Sequence, residues 1–337
     1  MAIAKDVIVN INLAKAGTRS GFGFPLIFEG KATSEIAYKE CSNLDEVAKV
    51  AGNTSNIYKA AQLLLMQNDK PAKIAVCAST STAVLGLPKI IHHGWRQLIV
   101  TSLETSSEST RKQISDYIET TPDKMYFTSV AATTDLSGAT AITGNDRTFI
   151  LCHADENSVK FPEAALVGAT AGKSAGSFTY KNVILKGLTP KVMSQSEIDA
   201  VHAVHAAAFV LKCGDGVTSE GMVTSGEYAD IIDSQDYIVQ GIEYNVQKLL
   251  NSSDKIPYDN VGIGRLENTV TNVLKEAYNN GIIATGDDGL PAYSVSFKPR
   301  KETSAANRTA RKYVDGSFHF ALAGAIHEVE INGIIEI

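Results

Sequence analysis

Between residues 73 and 152 the chain alternates short apolar runs with helical stretches, and that rhythm leaves few folds open. Lys73-Ile74-Ala75-Val76-Cys77-Ala78, Leu98-Ile99-Val100-Thr101, Met125-Tyr126-Phe127-Thr128 and Arg147-Thr148-Phe149-Ile150-Leu151-Cys152 each have the length and composition of a strand. Glu108–Glu119 reads as a helix with Ile114, Tyr117 and Ile118 turned inward. Strands joined through helices can lie parallel, because a parallel pair needs a long crossover. The expectation is an α/β fold of mixed sheets with flanking helices.

The flanking sequence extends the pattern. Pro25-Leu26-Ile27-Phe28 is a short apolar run ended by Gly30. A helix should start at Leu44, with Ser42 or Asn43 as N-cap and Asp45 and Glu46 in its first turn. It should break near Gly52-Asn53 and resume through Ile57, Ala60, Ala61, Leu64 and Leu65. Further on, Ser177–Leu185 looks strand-like, and Ser194-Gln195-Ser196-Glu197 is a capping box for a helix reaching about Phe209. Phe209–Cys213 reads as a strand ended by Gly214-Asp215-Gly216. Long helices are expected over 228–250, striped by Ile231, Ile232, Ile238, Ile242, Val246 and Leu249, and over 262–279, stopped by Gly281. Strands return at 292–297 and 317–326.

A length of 337 residues suggests about two domains. A net charge of -6 argues against nucleic acid as the main partner. No apolar run approaches the ~18 residues a membrane helix needs, and no secretory signal is visible. Cys41, Cys77, Cys152 and Cys213 are widely spaced and read as reduced thiols of a protein made in the cytoplasm.

Candidate chemistry is sparse. Gly168-Ala169-Thr170-Ala171-Gly172-Lys173-Ser174 echoes a phosphate-binding loop, but has three residues between its glycines where four are needed. A strand-like stretch, not a helix, follows it, which deprives a phosphate of the helix dipole. His202 and His205 could share a helix face, yet no third ligand stands at a readable spacing, and His92-His93, if helical, would diverge. Asp233, Asp236 and Glu243 could be paired carboxylates, though helix surfaces carry such acids routinely. Asp287-Asp288-Gly289 reads as a turn. No catalytic residue, cofactor site or metal site is expected. In an acidic chain, Lys298, Arg300, Lys301, Arg308, Arg311 and Lys312 against a lone Glu302 suggest contact with a negative surface.

Both ends read as strands. Val7, Val9, Ile11 and Leu13 alternate with polar residues, ahead of a stretch holding Gly17, Gly21 and Gly23. At the other end Val329, Ile331, Ile335 and Ile337 alternate with Glu328, Glu330 and Glu336 in all but one step. A bare terminal strand invites pairing with another chain, a liability in a monomer and a joint in a polymer.

Several stretches, taken in order, resemble the contractile tail sheath proteins of phages and phage-tail-like bacteriocins. They are Tyr38 to Val76 with its Leu44-Asp45-Glu46-Val47; Gly176–Pro190 leading into Ser196-Glu197; Gly226-Glu227-Tyr228-Ala229-Asp230-Ile231-Ile232-Asp233 with Asp236; and Phe318–His327. The resemblance implies a non-enzymatic subunit polymerising as stacked hexameric rings around a tail tube, with terminal strands pairing between neighbours. Contraction would then drive the tube through a cell envelope. It implies partners in the tube, baseplate and tail terminator proteins, assembly in the host bacterial cytoplasm, and a place in a virion or phage-tail-like particle. On this reading 1–20 is a linking arm, 21–165 a first α/β domain, 166–316 a C-terminal sheath α/β domain, and 317–337 the terminal strands and second arm. The alternative is an α/β nucleotide-binding enzyme using Gly168–Ser174.

Overall fold

The computed structural model describes residues 23–102, 108–130, 136–153, 161–327 and 329. The chain enters through β1 (Leu26–Glu29), whose Leu26, Ile27 and Phe28 are all buried. A run apolar on both sides needs cover on both faces, which places it inside a sheet. β2 (Ile36–Cys41) is followed by α1 (Leu44–Ala51), which starts where expected: the Asn43 side chain accepts the Glu46 N–H, and Gly52, at φ 79, ends it. Ser55 caps α2 (Asn56–Leu65) in the same way. Then come β3 (Ile74–Ala78), the short α3 (Ala83–Gly86), β4 (Gln97–Val100), α4 (Glu108–Glu119) and β5 (Met125–Val130). After the short α5 (Ser137–Thr140) and β6 (Thr148–Cys152), α6 (Glu163–Thr170) is buried along its whole length. α7 (Gln195–Ala203), β7 (Ala207–Lys212) and β8 (Asp215–Thr218) complete this body.

Eight strands form one sheet in the order β2-β3-β1-β4-β5-β6-β7-β8. The pairings from β3 through β1, β4, β5 and β6 to β7 are parallel, while β2 and β8 close the edges antiparallel. On one face α2 and α6 cover Ile27, Ile99, Phe127 and Phe149. On the other, Ile114 and Ile118 of α4 pack with Phe28, Leu98 and Trp95. β7 and β8 carry the sheet past residue 165, so 21–165 and part of 166–316 share one layered core.

Helix α6 shows why its sequence is so small-sided. A Cβ at Gly168 would lie 2.2 Å from the Leu64 carbonyl oxygen, and one at Gly172 would lie 2.0 Å from that of Asp69. The backbones of α2 and α6 touch, which only glycine allows. These glycines therefore serve packing.

Three expectations are corrected. The stretch 177–185 is no strand: Asn182 sits at φ 60, and only Ile184 makes a bridge, to Val217. Helix α7 stops at Ala203, six residues short of Phe209, because His205 turns at φ 53 and Ala207–Val210 is buried as strand. Cys213 and Gly214, both at positive φ, make the tight turn that returns the chain as β8 where only a strand end was expected.

The last part of the chain builds a second layer. α8 (Ala229–Asn251) and α9 (Asn260–Asn279) pack side by side, and β9 (Tyr293–Phe297), α10 (Ala305–Thr309) and β10 (Gly316–Phe320) follow. β9 and β10 pair antiparallel as a two-stranded sheet, whose Tyr293, Val295, Phe297, Phe318 and Phe320 pack on a core of Ile238, Ile242, Val273, Leu274 and Ala277. Ala229 and Ile232, at the start of α8, belong instead to the core of the large sheet. One helix thus joins two cores. The expected terminal strands at Val7, Val9, Ile11 and Leu13, and at Ile331, Ile335 and Ile337, lie outside the described residues, whereas Val329 is described and exposed.

Replacing Gly168 by alanine forces α2 and α6 apart. We expect Gly168→Ala to cost about 3 kcal/mol in denaturant unfolding, against a near-neutral Gly264→Ala, whose Cβ meets nothing within 4 Å.

Candidate functional site: a buried ionic clamp beneath the long helix

Arg96, Lys124 and Arg147 each stand immediately before a strand, β4, β5 and β6 respectively. Those strands are parallel neighbours, so the three cations line one rim of the sheet. Met125 N donates to the Arg96 carbonyl and Tyr126 N to that of Arg147, which holds the rim in register. Across it lies the first half of α8, presenting Asp233 and Asp236 three positions apart and therefore on one face. The arginines and both aspartates are at most 7% exposed.

The geometry is that of a clamp. The Arg96 Nε donates to Asp233 Oδ1 at 3.1 Å and its Nη1 to Asp236 Oδ2 at 2.7 Å. Arg147 grips Asp236 with both terminal nitrogens, each at 2.9 Å. The Tyr180 hydroxyl donates to Asp233 Oδ2 at 2.8 Å. The spare guanidinium hydrogens go to the carbonyls of Asp123, at 3.0 Å, and Lys124, at 3.3 Å. Lys124 donates to the carbonyls of Trp95, at 2.6 Å, and His93, at 3.1 Å, and lies over the Trp95 ring.

Burial pushes the Asp236 carboxyl upward, but the two guanidinium groups more than reverse this and hold it below the ordinary carboxylate range. Burial pushes Lys124 down and the Tyr180 hydroxyl well up, so the tyrosine stays a donor. Arg96 is opposed by burial and raised overall by Asp233 and Asp236. A buried charge is tolerable only when paired and hydrogen-bonded, and here each partner satisfies the other. Nothing in this arrangement offers a nucleophile, or a base free to move a proton. It holds two bodies together.

Beside the clamp lies a cleft of about 340 Å³, lined by Gly23, Gln97, Lys173, Ser174, Tyr237 and Asn280 among others. It touches the Gly168–Ser174 stretch at the C-terminal end of α6, where helix carbonyls point outward. That end carries the negative pole, which repels phosphate. Lys173 is engaged with Asp69 at 3.5 Å and with the Phe178 ring. The loop is a packing element.

The other singled-out residues lie apart from one another. His202 meets Ser219, while His205 lies beyond the end of α7 and meets the Thr224 carbonyl, so the two share no helix face. His92 and His93 do not diverge: their rings lie 4.3 Å apart, His93 stacked on Tyr38. Glu243 is buried on α8 two turns beyond Asp236. Asp288 caps the 286–290 turn by accepting the Leu290 N–H. Among the described residues, no group of three or more His, Cys, Asp or Glu could hold a metal ion. Of the basic segment, Lys298, Arg300, Lys301, Arg311 and Lys312 are exposed between β9 and β10. Arg308 instead folds inward, donating to the carbonyls of Arg300 and Thr303.

Comparison with known proteins bears on the whole arrangement. The fold matches a sheath complex of an extracellular contractile injection system in its contracted state, the PVC sheath, with TM-score 0.73 at 12% identity over 100% of this chain and 98% of that one. It also matches the helical sheath of the anti-feeding prophage in its contracted state, with TM-score 0.72 at 12% identity over 99% and 100% of the two chains. This is the contractile-sheath fold. The sheath tail protein of Listeria innocua shares it more loosely, with TM-score 0.57 at 12% identity over 83% of this chain and 90% of that one. Residues 229–335 match the family of E217 gp31-like tail sheath proteins, C-terminal domain. That match begins at the first residue of α8, the helix the clamp holds. No curated protein sequence matches the chain.

The clamp predicts a strong, pH-dependent cost of neutralising one partner. Asp236→Asn leaves two buried guanidinium groups against a neutral amide, a loss of about 3–5 kcal/mol that lowers Tm by roughly 10 °C. The folded chain holds the Asp236 proton more weakly than the unfolded chain does. Its stabilisation is therefore complete above about pH 4 and lost as pH falls through the lower folded value. Calorimetry should find that acid limb shallower in Asp236→Asn.

Proposed function

We propose that this chain is the structural subunit of a contractile tail sheath, polymerising with itself as stacked hexameric rings around a tail tube. The observation that carries this reading is the likeness of fold along essentially the whole chain to sheath subunits. The small sheet adds a physical reason. β9 and β10 are each paired on one side only among the described residues, and an unpaired strand edge invites pairing with another chain. Strands supplied by neighbours would complete that sheet, with main-chain hydrogen bonds supplying affinity and alternate side chains supplying register. Val7, Val9, Ile11 and Leu13 at one end, and Val329, Ile331, Ile335 and Ile337 at the other, have the alternation such strands need.

On this reading the domain division falls near residue 228. The large sheet forms the outer body, and the α8–α9 layer with its hairpin forms the polymerising layer. The exposed Lys298, Arg300, Lys301, Arg311 and Lys312 meet an acidic surface of the tube or of an adjacent subunit. Baseplate and tail terminator proteins close the ends of the array. The particle is a phage tail or a phage-tail-like device made in a bacterial cytoplasm, and contraction draws on the difference between two packings of the same subunit, without catalysis or cofactor. Nucleic acid is not a partner of a chain with net charge -6, and no helix among the described residues is long and apolar enough to cross a membrane.

Negative-stain electron microscopy of the purified chain should show hollow helical tubes. Deleting residues 1–15 should abolish or shorten them without lowering Tm. Dispersed monomers or small closed rings from the full chain would refute the reading.

A further inference from the structure

Two terminal segments can link neighbours in a regular array only if each leaves its own subunit in a defined direction. The structure shows what sits at the root of each. On the N-terminal side the first described residue, Gly23, has φ 91, and a Cβ there would lie 2.6 Å from the Cβ of Arg96. The next residue, Phe24, accepts a hydrogen bond from the Arg96 N–H at 2.9 Å. The N-terminal root therefore rests on the arginine at the centre of the clamp, in a backbone conformation and a space that only glycine fills.

On the C-terminal side the chain leaves the hairpin through exposed residues 323–326 and then touches down at His327. There Nε2 lies 3.1 Å from the Thr179 hydroxyl, Nδ1 lies 3.3 Å from Glu220 Oε1, and Tyr228 meets the ring edge-on at 4.6 Å between centroids. Glu220 is itself held by Lys181 at 3.1 Å. Thr179 and Lys181 flank Tyr180, whose hydroxyl is bound to Asp233. A continuous series of contacts thus runs from Gly23 through Arg96, Asp233, Tyr180 and Thr179 to His327. Nothing about the helix–sheet junction alone requires the far tail to return to the residue beside Tyr180.

We propose that the buried clamp also carries the roots of both terminal segments, so that one network sets the directions in which the two segments leave the subunit. Arg96, Tyr180 and His327 are then positioning residues for assembly. The role in assembly rests on the sheath reading; the shared anchoring does not. A neighbour that pulls on one segment loads the same side chains that orient the other.

The test measures the root-to-root distance within one chain. Cysteines are placed at Gly21 and Val329 in a Cys213→Ser background, since Cys213 is exposed and Cys41, Cys77 and Cys152 are buried. The chain is spin-labelled, diluted into unlabelled chain, and its distance distribution recorded by pulsed electron resonance. The expected result is one narrow distribution, broadened at least twofold by His327→Gln and also by Tyr180→Phe. His327→Gln, which keeps a polar side chain of similar reach at a half-buried site, should leave Tm within about 3 °C of the parent. A Tyr180→Phe sample is scored only at temperatures where circular dichroism shows it folded, and a variant that does not fold is replaced by Thr179→Val. A parent distribution that is already broad overturns the proposal. So does broadening by His327→Gln alone, which would make the C-terminal anchor independent of the clamp. Because the distance is intramolecular, it stands or falls whether or not the chain forms tubes. Tubes with unaltered widths would sink the shared network and spare the sheath reading.

Discussion

Everything in this molecule is arranged around charges that could not be buried one at a time. Arg96 and Arg147 at the rim of the sheet meet Asp233 and Asp236 on α8, and the four are almost wholly removed from water. Taking either pair alone out of solvent would cost several kcal/mol per ion. The cost is met only when α8 lies at one height and one rotation over strands β4, β5 and β6. An apolar contact could slide by a turn of helix with modest loss; a bidentate arginine grip cannot. The clamp therefore acts first on geometry, fixing α8, and through it α9 and the β9–β10 hairpin, against the large sheet.

The fold is that of contractile sheaths, and on the proposed function this rigidity has a use. A part that transmits load between neighbours must not yield internally before its joints do. The large sheet has antiparallel strands at both edges and helices on both faces. The hairpin beyond α9 is smaller: among the described residues it has two strands, one packed face and each strand paired on one side only. The glycines follow the same division. Gly168 and Gly172 let backbones touch inside the body, and Gly23 lets the chain pass over Arg96 on its way out.

Much of the body was legible in the sequence, because the signals there are local. The Asn43 cap, the 108–119 helix and the buried runs of β3 to β6 follow from capping chemistry and from apolar runs of strand length. Tertiary burial overrode local preference in two places: α7 ends early because Ala207–Val210 is buried in the sheet, and 177–185 buries Tyr180 and turns at Asn182 where a strand was expected. The clamp was the largest omission. From sequence Asp233 and Asp236 read as routine helix-surface acids and Arg147 only as the first residue of a strand, and no local pattern marks Arg96. The pattern that could have exposed them is a basic residue immediately before each of three consecutive buried strands, an expensive place to leave a charge without a partner.

On the proposed function, one rigid body locked by the clamp is joined to its neighbours by strands added to the β9–β10 hairpin. The most direct test of this arrangement is a helical reconstruction by cryo-electron microscopy of the assembled chain, at a resolution that separates strands. Strands from neighbouring chains should extend the hairpin alongside β9 or β10, while Arg96, Arg147, Asp233 and Asp236 keep their contacts within each subunit. A reconstruction in which neighbours meet only through the large sheet, with both hairpin edges bare, would contradict it.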